Sequence, residues 1–167
     1  MWLASRDRQH WTLRNATDQG FPLNGEWRIK FGERKAQLRS GIRCWRAEDA
    51  PELTFKAAFT GKEPLRLRFY WSSLDDGNLA DSARNGAADL STAWKQLGDE
   101  SYDDSRSIGL QLIPDGKLHT YRMRLQDSPK YRGLIMGLAI QPADMPGPGD
   151  EMAIQSIQLA PPLKQNE

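Results

Sequence analysis

An all-β sandwich is the fold class this sequence predicts, and three observations carry it. Apolar and polar residues alternate through most of the chain, helical periodicity is scarce, and turn-forming residues (14 Gly, 10 Pro) recur between the alternating runs. The alternation yields about eight strands at a spacing typical of jelly-roll sandwiches. At 167 residues the chain has room for one well-buried core and little for a second. The expected layout is a single domain over residues 1–160 and a disordered tail over 161–167 that begins Pro-Pro.

The elements follow in order. In Gly25–Phe31, Trp27, Ile29 and Phe31 share one face and Glu26, Arg28 and Lys30 the other, the mark of a half-buried strand. Gln37 to Trp45 repeats the theme more loosely, with Leu38, Ile42 and Cys44 as its apolar members. A hairpin is expected next. Leu53, Phe55 and Ala57 alternate with polar residues, Gly61-Lys62-Glu63-Pro64 turns the chain, and Leu65, Leu67, Phe69 and Trp71 alternate with Arg66, Arg68 and Tyr70. Ile108, Leu110 and Leu112 form a further strand. Pro114-Asp115-Gly116-Lys117 is a turn, and His119, Tyr121, Met123 and Leu125 alternate after it. Gly133–Ile140 is almost wholly apolar, as a central strand should be. Met152, Ile154, Ile157 and Leu159 close the pattern.

The stretch from Ser73 to Ser105 breaks this rhythm. Its 33 residues carry eight acids, opposed by Arg84 and Lys95, and Ala87–Leu97 has the pattern of a short helix ended by Gly98. Such a long insertion in a compact domain is functional or mobile.

Composition removes several function classes. A net charge of +1 gives no pull toward nucleic acid or an anionic membrane. No apolar run approaches the roughly 20 residues of a membrane span. The first residues lack the apolar stretch of a signal peptide, so the chain is expected to stay inside the cell or to be part of a longer exported or tethered one. Cys44 is the sole cysteine, which excludes an internal disulfide and a cysteine zinc cluster; its expected role is a small buried apolar side chain. His10 and His119 are the two histidines, and His119, on the inward parity of its strand, is expected to be structural. No Gly-x-Ser-x-Gly elbow, P-loop or dinucleotide fingerprint occurs.

The last third of the chain supports a resemblance. The run Asp115-Gly116-Lys117-Leu118-His119-Thr120-Tyr121, the run Tyr131-Arg132-Gly133 with the apolar strand after it, and Ile154-Gln155-Ser156-Ile157-Gln158-Leu159 together resemble phrases of galactose-binding-like β-sandwiches. The Leu65–Trp71 strand, ending in Tyr-Trp, also matches. The likeness covers roughly residues 50–160, with 73–105 as an insertion. It departs at Leu118, where an aromatic is usual, at Ala139, where a basic residue is common, and at Gln155 and Ser156, where an Asp is common.

Members of that family are often carbohydrate-binding modules. The resemblance therefore implies a non-catalytic module for oligo- or polysaccharide, extracellular or periplasmic if this chain lacks its signal peptide. The alternatives are an interaction or accessory domain of a larger exported or envelope protein and, behind it, a polysaccharide lyase or glycoside hydrolase. No cofactor is expected. Some family members hold a structural calcium, and the Asp-rich insertion offers oxygen donors for one, although Asp75-Asp76-Gly77-Asn78 lacks a spaced calcium-loop pattern.

Sugar binding needs an aromatic platform and planar polar groups. Of the 6 tryptophans, Trp27 and Trp71 have core parity, Trp45 has outward parity, and Trp94 lies in the insertion. The expected ligand-binding set is Arg66, Arg68, Tyr70, Trp94, Tyr102, Arg122 and Arg124, whose arginines also suit uronate or sulfate groups. Against this stands the plain reading that the arginines are the wet face of a sheet. Tyr131 is expected to be a packing aromatic.

Overall fold

The structure is a computed structural model and describes residues 11–19, 25–41, 43–73 and 104–161. Eleven strands run in chain order: β1 (Thr12–Arg14), β2 (Ala16–Asp18), β3 (Trp27–Phe31), β4 (Gln37–Arg39), β5 (Trp45–Arg46), β6 (Glu52–Thr60), β7 (Leu65–Ser73), β8 (Ser107–Leu112), β9 (Asp115–Arg124), β10 (Leu134–Pro142) and β11 (Glu151–Ala160). They form two antiparallel sheets packed as a jelly-roll sandwich. The first has the order β1-β4-β10-β7-β8, with the short β5 also paired to β10; the second has the order β2-β3-β11-β6-β9. The surplus over eight strands comes from β1, β2 and β5, which are two or three residues long and too short to alternate visibly.

Alternation fixed the inward faces. β3 buries Trp27, Ile29 and Phe31 and exposes Arg28 and Lys30. β6 buries Leu53, Phe55, Ala57 and Phe59, and β7 buries Leu65, Leu67, Phe69 and Trp71. The two sets meet between the sheets, where Phe55 and Phe69 stand edge-to-face at 5.2 Å; within the second sheet Phe31 and Phe59 stand edge-to-face at 6.3 Å. Contacts of this kind contribute about 0.5–1.5 kcal/mol each beyond the burial of area.

β6 and β7 are therefore not the two arms of a hairpin. β6 pairs with β11 and β9, and β7 pairs with β10 and β8, so the Gly61–Pro64 turn carries the chain from one sheet to the other. The two-residue link between β8 and β9 crosses in the same way. So does Asn15, which joins β1 to β2 with a left-handed φ of 58° and donates its side-chain amide to the Lys35 carbonyl at 3.1 Å. Asn tolerates that conformation better than most residues.

Two further differences concern single residues. Cys44 is exposed rather than buried, because β4 ends at Arg39 and the alternation does not extend to it. Its Sγ lies 3.6 Å from Met136 Sδ. In β11 the pairing with β6 shifts between Ile154 and Ser156, and this bulge explains why the inward parity jumps from the buried Met152 and Ile154 to the partly buried Ile157 and Leu159.

β10 is the central strand of its sheet, as its apolar run predicted, and residues 135–142 are all buried. The tryptophans of the core are Trp27 and Trp71, at 0% and 2% exposure. Trp45 is half-buried and does not project freely: its indole Nε1 donates to the Tyr131 hydroxyl at 2.9 Å. Tyr131 packs edge-to-face on Trp71 at 5.2 Å and donates its own hydroxyl to the Ala50 carbonyl at 2.7 Å. No described helix is long and apolar enough to cross a membrane.

Candidate functional site

The inward parity of Leu67, Phe69 and Trp71 turns Arg66, Arg68 and Tyr70 onto the outer face of the first sheet. Register extends this face sideways. Tyr70 lies opposite Ala139 of β10 and Ser107 of β8, Arg68 opposite Gln141 and Gly109, and Arg66 opposite Gln111. Beyond β10, Arg39 of β4 lies opposite Ala139.

This face has two zones. Toward β4 and β10 its polar residues are buried: Gln37 at 1%, Arg39 at 5%, Tyr70 at 8% and Gln141 at 8% exposure. Tyr70 donates its hydroxyl to Asp104 Oδ1 at 2.7 Å. Burial, reinforced by that hydrogen bond and by the Asp104 charge, pushes its pKa up to about 12.

Toward β8 the face is open. Arg66, Arg68, Gly109, Gln111 and Ala143 line a shallow depression of about 260 Å³. Gly109 brings no side chain, so the floor there is backbone. Both guanidinium groups are held in place. Arg66 makes a two-pronged pair with Asp144, with Nε to Oδ2 and Nη2 to Oδ1 both at 2.7 Å. Asp144 is drawn below the usual carboxylate range, chiefly by that hydrogen bond. Arg68 donates from Nη2 and Nε to Ser107 Oγ at 2.7 and 3.0 Å, and from Nη2 to the Asp104 carbonyl at 3.2 Å. A guanidinium carries five N–H donors, so each arginine keeps donors beyond those its anchors use. The depression can take a small polyhydroxylated group through planar donors from two sides.

The remaining members of the expected set are not brought together with these. Arg122 and Arg124 lie on β9, opposite Thr54 and Glu52, on the outer face of the second sheet and hence across the core. Arg124 Nε is 3.5 Å from Asp127 Oδ1. The separation follows from the crossing at the β8–β9 link, which puts two strands of like parity into different sheets. Trp94, Tyr102, the 87–97 helix and most of the acidic insertion lie outside the described residues. Gln37, Arg39 and Gln141 went unnoticed, though Gln141 gave a signal: a polar residue closing an apolar central strand.

His119 is half-buried and sits 2.9 Å from Asp115 Oδ2 on its own strand. Asp115 is held below its ordinary pKa, first by the Lys117 backbone N–H and then by His119. Among the described residues no three His, Cys, Asp or Glu side chains are grouped to hold a metal ion.

The fold is a jelly-roll sandwich of two antiparallel sheets, and solved carbohydrate-binding modules are among the structures it is similar to. One is a family 11 carbohydrate-binding module from Clostridium thermocellum in complex with a β-1,3-1,4-mixed-linked tetrasaccharide, 10% identical over 93% of this chain and 91% of that one, at a TM-score of 0.50. Another is a CBM4, 7% identical over 95% and 92% at 0.47. A third is the low-affinity xylan-binding module CBM86 from Roseburia intestinalis, 11% identical over 89% and 95% at 0.47. At these identities the likeness is one of fold. No family model and no curated protein matches the sequence.

Proposed function

We propose that this chain is a non-catalytic carbohydrate-binding sandwich whose open β7–β8 face holds an oligo- or polysaccharide. The observation that carries this reading is the depression over Gly109, with anchored Arg66 and Arg68 and the Gln111 amide around it. Fixed guanidinium groups lose little rotamer freedom when a hydroxyl-rich ligand docks, so their hydrogen bonds translate into affinity. The family resemblance agrees with this assignment. A polysaccharide partner sets such a module in an extracellular or periplasmic environment.

Calorimetric titration with xylan, mixed-linkage glucan and galactan oligosaccharides tests the reading. At least one is expected to bind, and Arg68→Ala is expected to weaken it about tenfold, the value of one charge-assisted hydrogen bond. No binding at millimolar saccharide, or binding indifferent to Arg68→Ala, overturns it. A stable protein partner covering β7 and β8 with no response to sugars would give that face to an interaction domain instead.

A further inference from the structure

A second cavity, of about 680 Å³, opens at the end of the sandwich where β5, the turn after β9 and the start of β10 converge. Its size falls within the range of small-ligand pockets. Part of its wall is apolar, formed by Pro51, Tyr131 and Leu134. Leu134 is 36% exposed, although the rest of β10 after it is buried.

The frame of this cavity is fixed by bonds that leave its mouth unused. Tyr131 is clamped between Trp45 and the Ala50 carbonyl, at 2.9 and 2.7 Å. Backbone bonds from Ala47 N to the Gly133 carbonyl (2.9 Å) and from Gln126 N to the Pro51 carbonyl (3.1 Å) tie its three segments together. Gly133, with φ of 73°, makes a reversal between Arg132 and Leu134 that a side chain would strain. At the mouth stand Arg46 and Arg132. Arg132 is exposed and has no partner among the described residues. Arg46 has Glu48 at 3.7 Å, with both side chains more than 70% exposed, a pairing of little energetic weight. Two arginines and one loosely held carboxylate thus line a cavity with a pre-formed apolar wall.

We infer that this cavity is a second saccharide site, selective for a sugar residue that carries a carboxylate. Arg132 and Arg46 take the carboxylate, and Leu134 and Pro51 take the apolar face of the ring. A guanidinium fork matches a carboxylate in two prongs, and the wall supplies what an anion alone would not use. The choice of a sugar as the bearer of that carboxylate rests on the reading of the chain as a carbohydrate-binding sandwich. The cavity itself shares no residue with the depression on β7 and β8.

Titrations of the whole chain with galacturonate, galactose and acetate at low salt, followed by NMR chemical shifts, test the inference. Galacturonate is expected to shift residues 131–134, to bind about tenfold more tightly than galactose, and to lose about tenfold in Arg132→Gln. It is expected to be unaffected by Arg68→Gln. Galacturonate affinity unchanged in Arg132→Gln overturns the inference, as does acetate competing at the same concentration, since that would make the cavity a bare anion site. Loss of neutral oligosaccharide in Arg68→Gln alongside an indifferent Arg132→Gln sinks this inference alone. The reverse pattern sinks the β7–β8 reading and leaves this one standing.

Discussion

The two outer faces of the sandwich obey the same alternation and end in different states. On the second sheet the outward residues Arg28, Arg122 and Arg124 are exposed. On the first, the outward residues Gln37, Arg39 and Gln141 are nearly inaccessible, and Arg66 and Arg68 keep access only at the β7–β8 side. Burying such groups costs several kcal/mol unless they are hydrogen-bonded, so the first face is a buried polar layer whose stability depends on its partners and the second a solvated surface. Outward parity, the comparison teaches, is a statement about which side of a sheet a residue occupies and carries no information about water.

Four substitutions sharpen or break this contrast. The largest effect is expected from Arg39→Ala, which removes an engaged, 5% exposed guanidinium. It should lower stability by about 2–3 kcal/mol in urea unfolding. A loss no greater than that of Arg122→Ala would erase the difference between the faces. Next comes Tyr70→Phe, expected to cost about 1–2 kcal/mol at neutral pH through its bond to Asp104. Here the sign is fixed by a raised pKa. The folded protein holds the Tyr70 proton more tightly than the unfolded chain does. That contribution is fully present below the ordinary tyrosine value of about 10 and is lost as pH rises through about 12. The wild type should therefore lose stability faster than Tyr70→Phe across that window, and parallel curves would refute the assignment. The smallest effects belong to Arg122→Ala and Arg124→Ala. Each is expected within about 0.5 kcal/mol of the parent and without influence on saccharide binding; weakened binding in either would restore the two arginines to the site.

Most of the fold was legible because alternation is a local property. Trp27 to Phe31, Leu53 to Phe59 and Leu65 to Trp71 each declare an inner face without reference to any partner. Partnership is not local. Gly61–Pro64 turns a chain equally well within a sheet or between sheets, so the sequence suggested a hairpin where the structure has a crossing. The same blindness grouped Arg122 and Arg124 with Arg66 and Arg68, four arginines of one type and one parity on two opposite faces. Arg66 and Arg68 were visible as candidates because they interrupt apolar residues regularly. The roles of Asp144 and Ser107 as their anchors were not, since those residues come from segments 78 and 39 positions away.

The central places in both sheets belong to β10 and β11, the last two strands of the described fold. During synthesis, β4 and β7 emerge with no common neighbour between them, and so do β3 and β6. Neither layer can close until β10 and β11 (Leu134–Pro142 and Glu151–Ala160) have left the ribosome. Assembly is thereby governed by distant partners and slow by the usual dependence on contact order. A chain halted before Leu134 would present four unfilled strand edges, the surfaces that invite aggregation.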